Sequence, residues 1–453
     1  MGNLLVSLRN AAGAMRVFER GMAVVGNNVN NATTPGYARQ IQDVQSLAFD
    51  LDRGLAGGVA SAGTLDSRDP LAEMLLWQNL AGFGAAGELT RHLARLEPVF
   101  EIGQGSGIGG ALNRFFQAFS ALTITPNDIT ARQLALSRSA ELARSINQTA
   151  EGLNTVQLGV AADISSQVDR LNDIARRLVE LNTEFRNDFR AQDDAGLNAQ
   201  LYSTLEELSG IADATVLRQE DGSVTVFLGG ETLLVIGDRS YPVTADTGSA
   251  PAGLLDAEGR DITSQIGAGR LAALFDLANN TLPAYASRLD QFATALADTV
   301  NGLLAGGVDL SGSPPAQDLF VYNSTLGAAR TVSVNPLLPE QLALASPTAP
   351  GGNAIALALA GLDRTPAIGS ASFTEFYADL AADAGRALQT GREREATAAS
   401  LVAQSRDLRD QAQQVNLDEE ALRLIEFQRS YQAAAKLVQT LDEMTDVVFN
   451  MIR

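Results

Sequence analysis

The sequence predicts a mainly α-helical fold carrying one small inserted β domain, with the two terminal helices forming a coiled coil and a long-helix body between them. Three observations lead there. Apolar residues keep a heptad spacing through nearly four repeats at the N-terminal end, and again at the C-terminal end. Helical spacing with few β-branched runs fills most of the middle. Between residues 211 and 267 the pattern changes to short β-rich segments separated by glycine turns. A chain of 453 residues, 45% hydrophobic and 19% charged, is long enough for about three domains.

The first element is a helix over residues 4–29, about 39 Å long at 1.5 Å per residue, with Leu4, Leu8, Ala11, Met15, Phe18, Met22, Val25 and Val29 on its seam. Asn27, Asn28 and Asn31 suit a helix end, because their amides bind free carbonyls and tolerate left-handed backbone. Thr34-Pro35-Gly36 then stops the helix and turns the chain. Tyr37 and Arg39 follow at once, an aromatic and a bidentate donor placed for contact with another subunit.

Helical spacing resumes over 71–97, 110–122, 128–146 and 153–187. The glycine-rich 103–110 segment and Pro126-Asn127 separate these helices. Gly105 to Gly110 satisfy G-x-G-x-x-G, but a dinucleotide site needs a preceding parallel strand, and here a helix precedes. A helix-to-helix loop is expected instead. Asp193-Asp194 sit in a polar turn, and Glu419-Glu420 open a helix where acids complement the dipole, so both pairs read as capping rather than catalysis. Strands are expected at 215–217, 224–228 and 233–236, with Asp221-Gly222 and Gly229-Gly230 as hairpin turns. Helices return over 271–304 and through much of 373–413. The last helix carries Leu417, Leu424, Phe427, Tyr431, Ala434, Val438, Leu441, Thr445, Val448 and Ile452 at the N-terminal period. Residues 1–40 hold four arginines against one glutamate, net +3, and residues 401–453 hold nine acidic and six basic side chains, net −3, which favours pairing of the ends.

Composition narrows the chemistry. With 33 basic against 53 acidic residues, net −20, the chain is a poor partner for nucleic acid. It has no Cys, so disulfides, thiolate nucleophiles and Cys-ligated zinc are excluded. His92, the single His, falls in a charged run that reads as an exposed helix face, and Lys436 is the single Lys. No enzyme, cofactor or metal is expected. The apolar run 354–362 is too short to cross a membrane, and Ala12-Gly13-Ala14 follows too short an apolar run for a cleaved signal, so no membrane insertion and an uncleaved N-terminus are expected.

Residues 27–40, NNVNNATTPGYARQ, resemble the N-terminal signature of bacterial flagellar rod, hook and hook-associated proteins. Residues 415–448, VNLDEEALRLIEFQRSYQAAAKLVQTLDEMTDVV, resemble their C-terminal signature. Within that group the middle is similar to the hook-associated protein 1 family of the hook–filament junction, through Phe115-Phe116, Ala131-Arg132-Gln133, Asp261 to Ile266, Asn280 to Pro283 and Val332 to Pro336. The resemblance implies a structural axial component exported unfolded by a type III route to the extracellular flagellum. It also implies copies of itself in a helical ring, the hook protein, the next junction protein (hook-associated protein 3) and an export chaperone as partners. The chain's own periodicity groups 1–45 with 415–453 as a terminal coiled-coil domain, 46–210 with 268–414 as the helical body, and 211–267 as a small β domain, which the resemblance places outermost. The residues expected to carry assembly are Leu8, Met15, Phe18, Met22, Val25, Asn27, Asn28, Asn31, Pro35, Gly36, Tyr37, Arg39, Leu424, Phe427, Tyr431, Val438 and Leu441. A stripe on the last helix, left unpaired, is the expected chaperone site. A hook or distal rod protein would share the termini but carry a β-rich middle, and a secreted coiled-coil effector would need a binding surface in the middle.

Overall fold

Helix α1 (Gly2–Asn30) opens the computed structural model, which describes residues 2–50, 55–100, 105–188 and 190–452. The chain then turns into strands β1 (Gln40–Ser46), β2 (Phe49–Asp50), β3 (Leu55–Ala56) and β4 (Val59–Asp66), with β1 antiparallel to β4 and β2 to β3. Helices α2 (Pro70–Phe100), α3 (Gly107–Ile124), α4 (Ile129–Asn187) and α5 (Ala195–Ile211) follow. Next come β5 (Ala214–Arg218), β6 (Val224–Leu228), β7 (Thr232–Ile236) and β8 (Arg239–Ser240) in one antiparallel sheet of that order, then the β9 (Thr244–Asp246) and β10 (Gly253–Leu255) ladder. Helix α6 (Gly269–Asp276) passes through a π turn at Leu277–Thr281 into α7 (Leu282–Ala305). The remaining elements are β11 (Phe320–Val321), α8 (Ala328–Thr331), β12 (Ser333–Val334), α9 (Ala354–Gly361), α10 (Phe373–Gln413) and α11 (Leu417–Ile452).

Two compact units divide the chain, one of residues 1–82, 170–242 and 399–453, the other of 83–169 and 243–398. Strands β5–β8 belong to the first and β9–β10 to the second. In the first, Asn182 of α4 is fully buried and grips the sheet: its Oδ1 accepts from Val224 N at 2.7 Å, and its Nδ2 donates to Val224 O at 2.8 Å and Gly237 O at 2.9 Å. That satisfies backbone groups which would otherwise be stranded beside a helix.

The second unit centres on aromatic side chains. Phe115 packs tilted against Phe119 of the same helix at 4.8 Å and meets Phe320 at 6.3 Å, while Phe292 meets Phe373 edge-on at 5.9 Å. The helices expected over 128–146 and 153–187 are one, the 59-residue α4. Gly152 lies inside it, where a Cβ would sit 3.0 Å from Val99 Cγ1 of α2. Close packing there offsets the roughly 1 kcal/mol that glycine costs a helix. Helix α2 likewise runs past Pro98, and Tyr377 Oη donates to the carbonyl of Phe100 at 2.6 Å near its end. Arg132 is buried at the start of α4 and donates to the carbonyls of Pro126, Pro339 and Leu342 at 2.6, 3.1 and 2.7 Å, pinning the Pro126-Asn127 break. Gly105 and Gly107 take positive φ, and a Cβ on Gly110 would sit 2.4 Å from the carbonyl carbon of Gly105, so that glycine cluster builds a tight entry to α3.

His92 corrects the sequence reading. It is 0% exposed, and its Nε2 lies 3.0 Å from Asp163 Oδ2 of α4. Its neighbours on α2 are Glu88, Arg91 and Arg95. The charged run around it made the whole face look solvated, yet His92 points between helices. Burial, aided by the Arg91 guanidinium, holds the imidazole below its ordinary pKa.

Candidate assembly site

The two terminal helices pack together and antiparallel, since Asn28 meets Glu420 and Gly21 meets Phe427, seven residues along each helix. On α11 the expected seam holds: Leu424, Phe427, Tyr431, Val438 and Leu441 are half-buried and Ala434 is buried. On α1 it holds as far as Val25. Ala11 and Val25 are buried and Leu8, Met15, Phe18 and Met22 half-buried, but Val29 is 44% exposed, while Gly21 and Asn28, one residue before Met22 and Val29, are buried. A straight helix drifts about 20° per heptad, so a strict seven-residue pattern loses the facing side. Gly21 is inside because the Phe427 ring lies against its backbone, 2.8 Å from where a Cβ would be. Leu417, read as a seam residue, is 54% exposed.

A buried polar network closes the α1 C-terminal end of this pair. Asn28, 1% exposed, uses its full hydrogen-bonding capacity. Its Oδ1 accepts from Gln40 N at 2.8 Å and from Tyr37 Oη at 2.9 Å, and its Nδ2 donates to Gln40 O at 2.8 Å and to Glu420 Oε2 at 3.1 Å. Arg39 Nε donates to Glu420 Oε1 at 2.7 Å, and its Nη2 lies 2.9 Å from Glu419 Oε2. Glu420 is 0% exposed and Glu419 largely exposed, so one carboxylate is sealed in and the other faces water. The Arg39 backbone N–H also binds Gln413 O at 2.9 Å, and Asn416 Oδ1 caps α11 by accepting from Asp418 N at 3.0 Å. Burial, then the Glu420 charge, pushes the Tyr37 phenol up to about 12. The capping role read for Glu419-Glu420 thus falls to Asn416, and Tyr37 and Arg39 are engaged within the chain.

The turn is held as firmly. Gly36 has φ +75°, and a Cβ there would lie 2.3 Å from Ala199 O of α5, so both the backbone conformation and the close approach demand glycine. Its carbonyl accepts from Arg68 Nη2 at 2.8 Å. The Arg68 guanidinium, almost fully buried, pairs with Glu73 at 2.6 Å and lies 3.6 Å from the Tyr202 ring centroid, with Trp77 stacked on Tyr202 at 6.0 Å. Asn27 and Asn31 bond each other near the helix end, Asn31 Nδ2 reaching Asn27 Oδ1 at 2.9 Å, and Pro35 is exposed. Sequence reasoning missed Gln40 and Arg68, and noticed Glu420 without its buried partner. A signal for Glu420 existed: stepping the α11 seam back four residues from Leu424 lands on it.

Leu422, Ile425, Leu437, Met444 and Val447 lie exposed on α11, away from its seam. Among the described residues no group of three or more His, Asp or Glu could hold a metal ion, and no helix is long and apolar enough to cross a membrane.

Comparison with known proteins bears on this arrangement directly. A family model for the flagella basal body rod protein matches residues 8–37, and one for the flagellar basal body rod FlgEFG protein C-terminal matches residues 411–451. Asn28, Gly36 and Tyr37 come from the first match and Glu419 and Glu420 from the second, so the network joins the two. Flagellar hook-associated protein 1 of Bacillus subtilis is 23% identical with 99% of each chain covered. That of Salmonella typhimurium is 24% identical over 72% of this chain and 62% of its own length. The flagellar hook junction protein FlgK from Burkholderia pseudomallei shares the fold, with a TM-score of 0.66 at 15% identity over 74% of this chain and 98% of that one. The model of the flagellar hook-associated protein FlgK helical domain matches residues 93–320, half of the chain, and the protein belongs to that family.

Proposed function

We propose that the chain is a structural subunit of the bacterial flagellum that forms the junction between hook and filament, acting mechanically and not as a catalyst. The observation that carries this is the union of the two terminal segments, one α1–α11 pair closed by the Asn28–Arg39–Glu420 network, in a chain whose middle is a helical body. A hook or distal rod protein calls for a β-rich middle, and this chain is 65% helical. The exposed apolar residues of α11 would be covered when copies stack in a ring with neighbouring hook subunits, because a stripe of that kind is a liability on an isolated chain. The family resemblance suggests the next junction protein, hook-associated protein 3, as the distal partner. It also supports an export chaperone on α11 before assembly. Of the expected grouping only the terminal coiled coil is kept as the axial part, since strands β5–β8 fall in one compact unit with the terminal helices and β9–β10 in the other. Tyr37 and Arg39 serve this assembly by shaping the pair that stacks. Electron microscopy of a strain lacking this chain tests the proposal: hooks should end bare, with filament subunits shed into the medium. Filaments of normal number and attachment would overturn it.

A further inference from the structure

We propose that the buried network of Asn28, Arg39 and Glu420 is a register lock: it selects the one alignment of α1 against α11 that the apolar seam alone leaves open. The inference concerns the chain itself and does not rest on the junction reading. The seam is poor at choosing. Its buried positions are small or interchangeable residues, Ala11, Gly21 and Val25 on α1 and Ala434 on α11 with Val438 and Leu441 half-buried beside it, set along a seam of heptad period. A slip by one heptad preserves most of such a pattern, and in one direction it sets the Phe427 ring, now against Gly21, against Ala14, which is also small.

The network makes each slip costly. Shifting α11 one heptad in one direction places the Glu420 carboxylate against Gly21, between Val17 and Val25, with Arg39 left behind. Shifting it the other way sets the Phe427 ring against Asn28, which then loses an acceptor while still buried. Either alignment strands a charge or an amide that is now fully bonded. Buried polar groups that specify register are the best attested use of such interactions. The competing explanation is chain connectivity, since the link at 414–416 between α10 and α11 is short. The experiment has to separate these two.

The chain has no Cys, so paired nitroxide labels at Arg9→Cys and Arg429→Cys, both exposed and on opposite helices, report the alignment without background. In the observed register Arg9 is level with Gln439, which leaves the labels offset by roughly 15 Å along the axis, and a slip of one heptad changes that offset by about 10 Å. Double electron–electron resonance on the full-length labelled chain should give one narrow distance. Replacing the network by apolar residues, Asn28→Leu with Arg39→Met and Glu420→Leu, keeps the connectivity and the seam. It should yield a second distance displaced by the heptad step, or a broad distribution, while helicity stays within a tenth of the parent. A single parental distance in this triple variant overturns the proposal and assigns register to the link. A broad distribution in the labelled parent overturns it as well, because the network then fixes nothing. Should the triple variant fail to accumulate as soluble protein, Glu420→Gln, which keeps shape and removes the charge, is read the same way. A second distance supports the lock, and the parental distance alone refutes it.

Discussion

Replacing Glu420 by leucine tests the energetics of the terminal pair most sharply. The substitution removes the Arg39 Nε contact at 2.7 Å and the Asn28 Nδ2 contact at 3.1 Å. A hydrogen bond to a charged group contributes roughly 1.5–3 kcal/mol and an ordinary one about 1. Removing one partner of a buried pair costs about 3–5 kcal/mol when the other is left without compensation. Arg39 is not left wholly alone, since Glu419 stays 2.9 Å from its Nη2, and Asn28 Nδ2 keeps Gln40 O. The loss therefore falls near the lower bound, about 3 kcal/mol. At about 1.4 kcal/mol per tenfold, amides of α1 and α11 should exchange with solvent on the order of a hundredfold faster by mass spectrometry, with those of α7 unchanged. Glu419→Leu, which touches an exposed carboxylate, should change exchange by no more than a few fold. Equal effects of the two substitutions, or less than a twofold effect of Glu420→Leu, would refute the reasoning that burial gives the network its strength.

Gly36→Ala should destabilise the turn by roughly 2–4 kcal/mol, from the left-handed backbone and the overlap with Ala199 O, and limited proteolysis at residues 31–40 should report it; resistance equal to the parent contradicts the geometry. His92 binds its proton less readily folded than unfolded, so the stability tied to it is complete above the unfolded pKa of about 6.5 and is lost progressively as pH falls from there through the lowered folded value. A lone imidazole is easily followed by NMR, and a His92 titration at or above 6.5, or a pH slope unaltered by His92→Gln, would count against this. Tyr37 should ionise only near pH 12 in ultraviolet titration, with Tyr37→Phe removing that late step and costing the pair about 1 kcal/mol; a phenolate forming near 10 would mean the side chain is not held beside Glu420.

Much of the architecture could be read from the chain before its structure. The heptad pattern located both terminal helices, and the glycine turns at 221–222 and 229–230 located β6 and β7. Apolar spacing is a signal about side-chain area, however, and it ranks Met22 above Gly21 and Val29 above Asn28. Gly21 is inside for the space its missing side chain leaves to Phe427, and Asn28 for its bonds to Gln40, neither of which area scores. The β1–β4 hairpin escaped for a related reason. Its first strand alternates Gln40, Ile41, Gln42, and the inward residue is polar: Gln42 Nε2 donates to Val17 O of α1 at 2.9 Å. His92 was misjudged because charge in the local run was taken as evidence of solvent, and Glu420 because its place at a helix start was explanation enough, whereas each finds its partner far away in sequence, Asp163 and Arg39.

The central claim, that this chain is a junction subunit whose two ends pair through the Asn28–Arg39–Glu420 network, is tested most directly by an electron cryomicroscopy map of hook–filament junctions isolated from the producing cells. The account predicts a ring of this chain between hook and filament, with α1 and α11 antiparallel and nearest the axis, and continuous density joining Arg39 to Glu420. A junction lacking the chain, or one in which α1 and α11 lie apart, would contradict it.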